Sequence, residues 1–99
     1  MELSELTTMM HNFVRDQGWY AESSLRPQTT RNLAISLAIE ASEVLEHFQW
    51  SNESKNKSAL ADELADVALY LLQIASIMDI DLEQAICNKI KKNYQRKWD

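Results

Sequence analysis

Ninety-nine residues with a formal net charge of −5 make a chain of single-domain size (1–99), too acidic to hold duplex DNA or RNA on a basic surface. One glycine and one proline, among abundant Leu, Ala, Glu and Lys, predict an all-α fold with short connections. The lone Cys87 excludes a disulfide framework and a cysteine-rich zinc site, and Met1-Glu2-Leu3-Ser4-Glu5 has neither the basic nor the apolar stretch of a secretory signal, so a reducing cytoplasm is the expected setting.

Helix one is expected over Ser4 to Asp16, where Leu6, Met9, Met10, Phe13 and Val14 recur at helical spacing and Gln17-Gly18 supplies a stop. Trp19 and Tyr20 follow at its exit, either as buried anchors or as a platform for a planar ligand. Residues 21–30 show no periodicity and hold the only proline, so they form a loop, either a lid over a site or a plain connector. Thr29 or Thr30 can cap the helix that follows.

Helix two is expected from Arg31 to Gln49, with Asn32 in its first turn. At roughly 100° per residue, Leu33, Leu37, Val44 and Phe48 share one heading and define a buried stripe; Glu40 falls inside it and Glu43 at its edge. Glu46 lies well off the stripe and is at most an accessory ligand. Trp50 closes the helix, and the polar run Ser51 to Lys57 is a second loop.

Helix three, from Ser58 to Met78, places Leu60, Leu64, Val67, Leu71, Ile74 and Met78 on its expected buried stripe, with Glu63 inside and Asp66 near the margin. Leu69 and Leu72 point elsewhere, so the helix is apolar around most of its circumference and needs further protein to cover it. Oligomerisation meets that need. Its most apolar run, Val67 to Met78, is interrupted by Gln73 and Ser76 and is too short to cross a bilayer. Asp79-Ile80-Asp81 breaks the pattern, and Asp81 with Gln84 has the form of a capping box. Helix four, from Leu82 to Lys97, carries Ala85, Ile86, Ile90 and Tyr94 on one side and Lys89, Lys91, Lys92, Arg96 and Lys97 on the other. Those cations either complement the helix dipole or reach the phosphates of a ligand.

The acidic residues of helices two and three come in two pairs of one form, Glu40-x-x-Glu43 and Glu63-x-x-Asp66, with 19 residues between Glu43 and Glu63. Positions i and i+3 project from nearly the same side of a helix, so each pair is a two-carboxylate claw. A carboxylate facing an apolar interior is costly unless it is paired or neutralised. Either a cation sits between the claws or the pairs are ordinary solvated faces. There is no Glu-x-x-His, and neither His11 nor His47 has metal-ligand spacing, which argues against a di-iron bundle. An all-oxygen site favours Mg²⁺, with Mn²⁺ as its substitute, and Mg²⁺ commonly completes its shell with substrate phosphates.

Arg31-Asn32-Leu33, the run from Leu37 to Trp50 and the run from Asp62 to Leu71 closely resemble the MazG-like nucleotide pyrophosphohydrolases, and within them the small dCTP-pyrophosphatase branch. The resemblance extends to Lys89-Ile90-Lys91-Lys92-Asn93 and departs at Thr29-Thr30, where relatives often carry His and Pro, and in a longer preceding loop. It implies a four-helix all-α bundle that dimerises, in some relatives to a tetramer, with active sites shared between subunits. It also implies Mg²⁺-dependent hydrolysis of a nucleoside triphosphate to monophosphate and pyrophosphate, for nucleotide house-cleaning or pool control. By position, Glu40, Glu43, Glu63 and Asp66 would bind the metal, with Glu43 the preferred base and Glu40 beside it in catalysis. Asn32, Trp50, Tyr70, Lys89 and Asn93 would touch base, sugar or phosphate, Lys92 would help hold the pyrophosphate, and Trp19 or Phe13 would complete an aromatic wall with Trp50. The competing class is a non-enzymatic helical dimer that binds a regulatory partner. A phosphatase releasing inorganic phosphate is a third reading.

Overall fold

Where each helix starts and stops follows from local chemistry, and these ends set up the site. The computed structural model describes residues 1–54 and 56–98; Lys55, within the expected polar turn, lies outside them. Four α-helices follow one another: α1 (Leu3–Asp16), α2 (Thr30–Glu46), α3 (Lys57–Ile77) and α4 (Leu82–Gln95). Thr29 Oγ1 accepts the Asn32 N–H, Asn56 Oδ1 that of Ala59 and Asp81 Oδ1 that of Gln84, so three of the four N-termini are capped by side chains. The box expected at Asp81 is half formed, because the Gln84 side chain bonds Asn88 Oδ1 instead of turning back.

Two helices are shorter than expected. α2 ends at Glu46 and not at Gln49, because His47, Phe48 and Gln49 bond to the carbonyls three residues back, which tightens the chain out of the α-helix. α4 stops at Gln95 instead of Lys97. Arg96 is extended there, Trp98 Nε1 donates to the Asn93 carbonyl, and the Arg96 guanidinium covers the Trp98 ring at 4.3 Å.

The ends of α1 and α3 are both Schellman motifs. Gly18 N–H bonds Arg15 O and Trp19 N–H bonds Val14 O; Asp79 N–H bonds Ser76 O and Ile80 N–H bonds Ala75 O. Gly18 takes the left-handed conformation at φ +78°, and Asp79 takes it at +55° with a Cβ to accommodate.

α3 is the central element. α2 packs along it, α1 lies against it as well, and α4 meets it only weakly. Met10, Val14 and Leu72 form the core cluster, with Leu3, Trp19 and Leu82 against it, and Leu33 is fully buried on α2. Burying each such leucine stabilises the fold by roughly 2 kcal/mol. The stripe expected on α3 is met in part: Leu60, Val67 and Ile74 are half-buried, whereas Leu64, Leu71 and Met78 remain about half exposed, and the buried residues of the helix are Leu72, Gln73 and Ala75. A helix apolar around most of its circumference has no single inward face, so packing against α1 and α2 decides which residues are covered. Phe48, expected on the α2 stripe, is exposed because it lies beyond the helix end.

Among the described residues α4 buries none of its side chains, and the radius of gyration is 16.0 Å against about 13 Å for a compact chain of this length. No helix among them is long and apolar enough to cross a membrane.

Candidate active site

One turn of α2 and one of α3 bring three carboxylates together. Glu40, Glu43 and Glu63 each offer an oxygen, and these atoms lie within 4.8 Å of one another. Glu40 Oε2 and Glu63 Oε2 are sealed from solvent and have no hydrogen-bond partner. Lost hydration pushes the Glu40 carboxyl up to about 7, reinforced by a shared hydrogen bond with Glu43 and by the charges of Glu43, Asp66 and Glu63. Glu63 is also raised, first by its hydrogen bond with Glu43, then by desolvation and the charges of Glu43 and Asp66, with His47 acting in the opposite direction. Crowded all-oxygen donors with orphaned lone pairs fit a hard divalent cation. Asp66 stands outside the three-oxygen cluster, exposed, yet close enough for its charge to raise both glutamates.

A groove of about 710 Å³, within the range of small-ligand sites, is lined from α1, the loop after it, α2 and α3; it reaches the acidic residues at Asp66, one turn from Glu63, and the three clustered glutamates do not line it. Asp66, Asn32 and Tyr70 line it together with Leu33 and Leu69. Phe13 and Trp19 form an aromatic wall, edge to face at 5.5 Å, and the Arg26 guanidinium lies 5.4 Å over the Trp19 ring. Asn32 Nδ2 donates to the Pro27 carbonyl at 3.0 Å and so ties the loop to the first turn of α2.

The remaining expected contacts stand apart. Trp50 is 90% exposed and outside the groove. Lys89 and Lys92 are exposed on α4, and Asn93 is half-buried there with Oδ1 sealed and unpartnered. Glu46 is exposed, in keeping with its heading off the stripe.

Sequence reasoning missed three polar residues. His47 just ends α2, bonds Ser54 Oγ at 3.3 Å and influences Glu63. Gln73 and Gln28 meet in the groove wall, Gln73 Nε2 donating to Gln28 Oε1 at 2.8 Å. A single amide inside the apolar run of α3 was the available signal for Gln73.

Four helices with no strand among the described residues, and carboxylates from two neighbouring helices beside an apolar groove, define an all-α protein with an acidic, metal-type centre. Residues 35–99 match the MazG-like family, and this chain belongs to that family. It is 32% identical over 103 residues to dCTP pyrophosphatase 1 of Mus musculus and 29% identical to that of Homo sapiens, in each case covering 95% of this chain and 58% of the relative. The chain thus spans 58% of the length of these curated relatives. A crystal structure of a pyrophosphatase from Archaeoglobus fulgidus has the same fold, with a TM-score of 0.79 at 33% identity over 93% of this chain and 88% of that one.

Proposed function

We propose that this chain hydrolyses nucleoside triphosphates, deoxynucleotides such as dCTP among them, to the monophosphate and pyrophosphate, with Mg²⁺ as cofactor and Mn²⁺ as its substitute. The observation that carries the reading is the pair of sealed, unpartnered oxygens on Glu40 and Glu63, set with Glu43 beside a groove of ligand size. The names of the relatives in mouse, human and Archaeoglobus support it.

Glu40, Glu43 and Glu63 would hold the cation, with Asp66 at the margin. When bound, it supplies positive charge against the triphosphate oxygens and against the charge that develops on them during transfer. Glu43 accepts a proton from the attacking water. The water oxygen bonds to the α phosphorus, the bond from that phosphorus to the bridging oxygen breaks, and pyrophosphate leaves with the bonding pair. The groove takes the nucleoside, Phe13 and Trp19 facing the base and Asn32 and Tyr70 the sugar, and its apolar lining keeps bulk water away.

Trp50, Lys89, Lys92 and Asn93 reach the site from a second copy of this chain, in a homodimer or a homotetramer built from two. The half-exposed Leu64, Leu71, Ile86 and Ile90 and the extended shape of the single chain support that assembly.

Product analysis with and without Mg²⁺ tests the reading. Monophosphate and pyrophosphate are expected only with the metal, and Glu43→Gln should keep the helical circular dichroism while turnover falls about 100-fold to 10,000-fold. Release of inorganic phosphate would make the protein a phosphatase. No turnover of any nucleotide by folded protein would leave a partner-binding helical module.

A further inference from the structure

The polar side chains that run from Gln28 and Gln73 in the groove wall out to the surface at Ser76 form a chain with a direction. The main-chain oxygen of Arg26 can only accept, so the Gln28 amide turns its nitrogen toward it, 2.7 Å away. Gln28 Oε1 therefore faces Gln73, and the Gln73 nitrogen is the donor between them at 2.8 Å. The second hydrogen of that nitrogen goes to Tyr20 Oη at 3.2 Å. With neutral His11 the Tyr20 hydroxyl donates onward to Nδ1, and the opposite ring nitrogen donates to Ser76 Oγ at 2.7 Å. Both amide hydrogens of Gln73 are committed by this chain. Gln73 is only 3% exposed and lines the groove, and among the described residues its Oε1 has no hydrogen-bond partner.

Gln73 lies seven residues beyond Asp66 on α3, two turns along the same side and roughly 10 Å along the axis, with Tyr70 between them. That interval matches the reach of a nucleoside from its 5′ carbon to the far edge of its base. With the phosphates at the carboxylates, the atom carried deepest is the exocyclic group at C4 of a pyrimidine or C6 of a purine. An amino group there donates to Gln73 Oε1. A keto oxygen there meets a second acceptor, and both are left unpaired in an apolar groove.

We propose that Gln73, held in one orientation by Gln28, is the base-specificity determinant of this site and selects nucleotides bearing an exocyclic amino group over their keto counterparts. The inference rests on the nucleotide reading of the site given above. Gln73 touches the base; Gln28 is a positioning residue that acts by fixing the Gln73 amide.

The test is kcat/KM, with the full chain and Mg²⁺, in two pairs that differ at that exocyclic position: dCTP against dUTP, and dATP against dITP. The wild type should favour the amino member by about tenfold or more in each pair that it hydrolyses. Gln73→Met, which removes the oxygen, and Gln28→Leu, which frees the Gln73 amide to turn its nitrogen toward the ligand, should each bring the ratio within about twofold. Turnover of the keto nucleotide should persist. Loss of packing alone would lower both members together and leave the ratio unchanged. If Gln73→Met does not fold, Gln28→Leu in the loop decides the matter. An unchanged ratio in a folded variant, or equal rates in the wild type with pyrophosphate still released, overturns this inference and leaves the parent reading standing. No turnover of any nucleotide overturns both.

Discussion

Gln28 and Gln73 of the groove wall join Tyr20, His11 and Ser76 in a single run of hydrogen bonds; where α2 and α3 bring the carboxylates together, Glu40 Oε2 and Glu63 Oε2 have no partner. Both clusters rest on α3, which supplies Gln73 and Ser76 to the first and Glu63 to the second. A linked polar network holds its members in place, and here it leaves Gln73 Oε1 without a partner among the described residues. A crowded set of like charges with orphaned oxygens is incomplete, and only something from outside can finish it. The contrast separates the part of the site that positions from the part that reacts.

The sharpest way to break the contrast is to neutralise one of the crowded carboxylates. Glu40→Gln should lower turnover by about 100-fold or more. The same change should raise the melting temperature of the metal-free protein at pH 8 and abolish its response to Mg²⁺. A Glu40→Gln protein still stabilised by Mg²⁺ would place the cation elsewhere.

The next effect is on pH. Glu40 titrates near 7 in the fold against an ordinary value of 4.5, and Glu63 is displaced the same way. Between the unfolded and folded values the native state binds more protons, so the stability of the metal-free protein should fall as pH rises from about 4.5 through about 7. Mg²⁺ should restore it at pH 8 and do far less at pH 5, where it competes with bound protons. Melting curves across that range, with and without the ion, check the sign; a metal-free protein that gains stability over the interval contradicts it.

The hydrogen-bonded cluster should answer differently. Tyr20→Phe removes the hydroxyl that joins Gln73 to His11, and it should cost about 1 kcal/mol at pH 8, with the Mg²⁺ response unchanged. Urea unfolding at pH 8, with and without the ion, measures it. The smallest effect lies outside both clusters: Asp79→Gly relieves a left-handed residue and should add about 0.5 kcal/mol.

The sequence shows the four helices, a threonine cap at position 29 or 30, the stop at Gln17-Gly18 and both claws, because each depends on residues within a turn or two of one another. The phase of α3 is not legible in the same way. With Leu64 and Leu71 near one heading, Leu72 about 80° and Leu69 about 140° round from it, periodicity picks no single face, and packing against α1 and α2 makes the choice. Asp66 reads as the twin of Glu43 by spacing, yet the two claws meet unequally, so one carboxylate of the four faces the groove instead of the cluster. The Gln28–Gln73 bond joins residues 45 positions apart, a separation at which local pattern carries no information. The end of α2 is set by carbonyl geometry that Phe48 and Gln49 do not advertise.

Gly18 gives the groove a modular construction. Because the reversal after α1 is completed by two backbone bonds and a positive φ, the Trp19 ring belongs to the ending of a helix and not to the loop that follows. A Cβ at position 18 would meet no atom within 4 Å, so the requirement there is for backbone freedom and not for space. Loop length and wall position are thereby decoupled: residues inserted near Ser23 and Ser24 can change the depth or cover of the groove while its aromatic side stays in register with the helix. The same protein surface can thus be re-cut for ligands of different girth by grafting one segment.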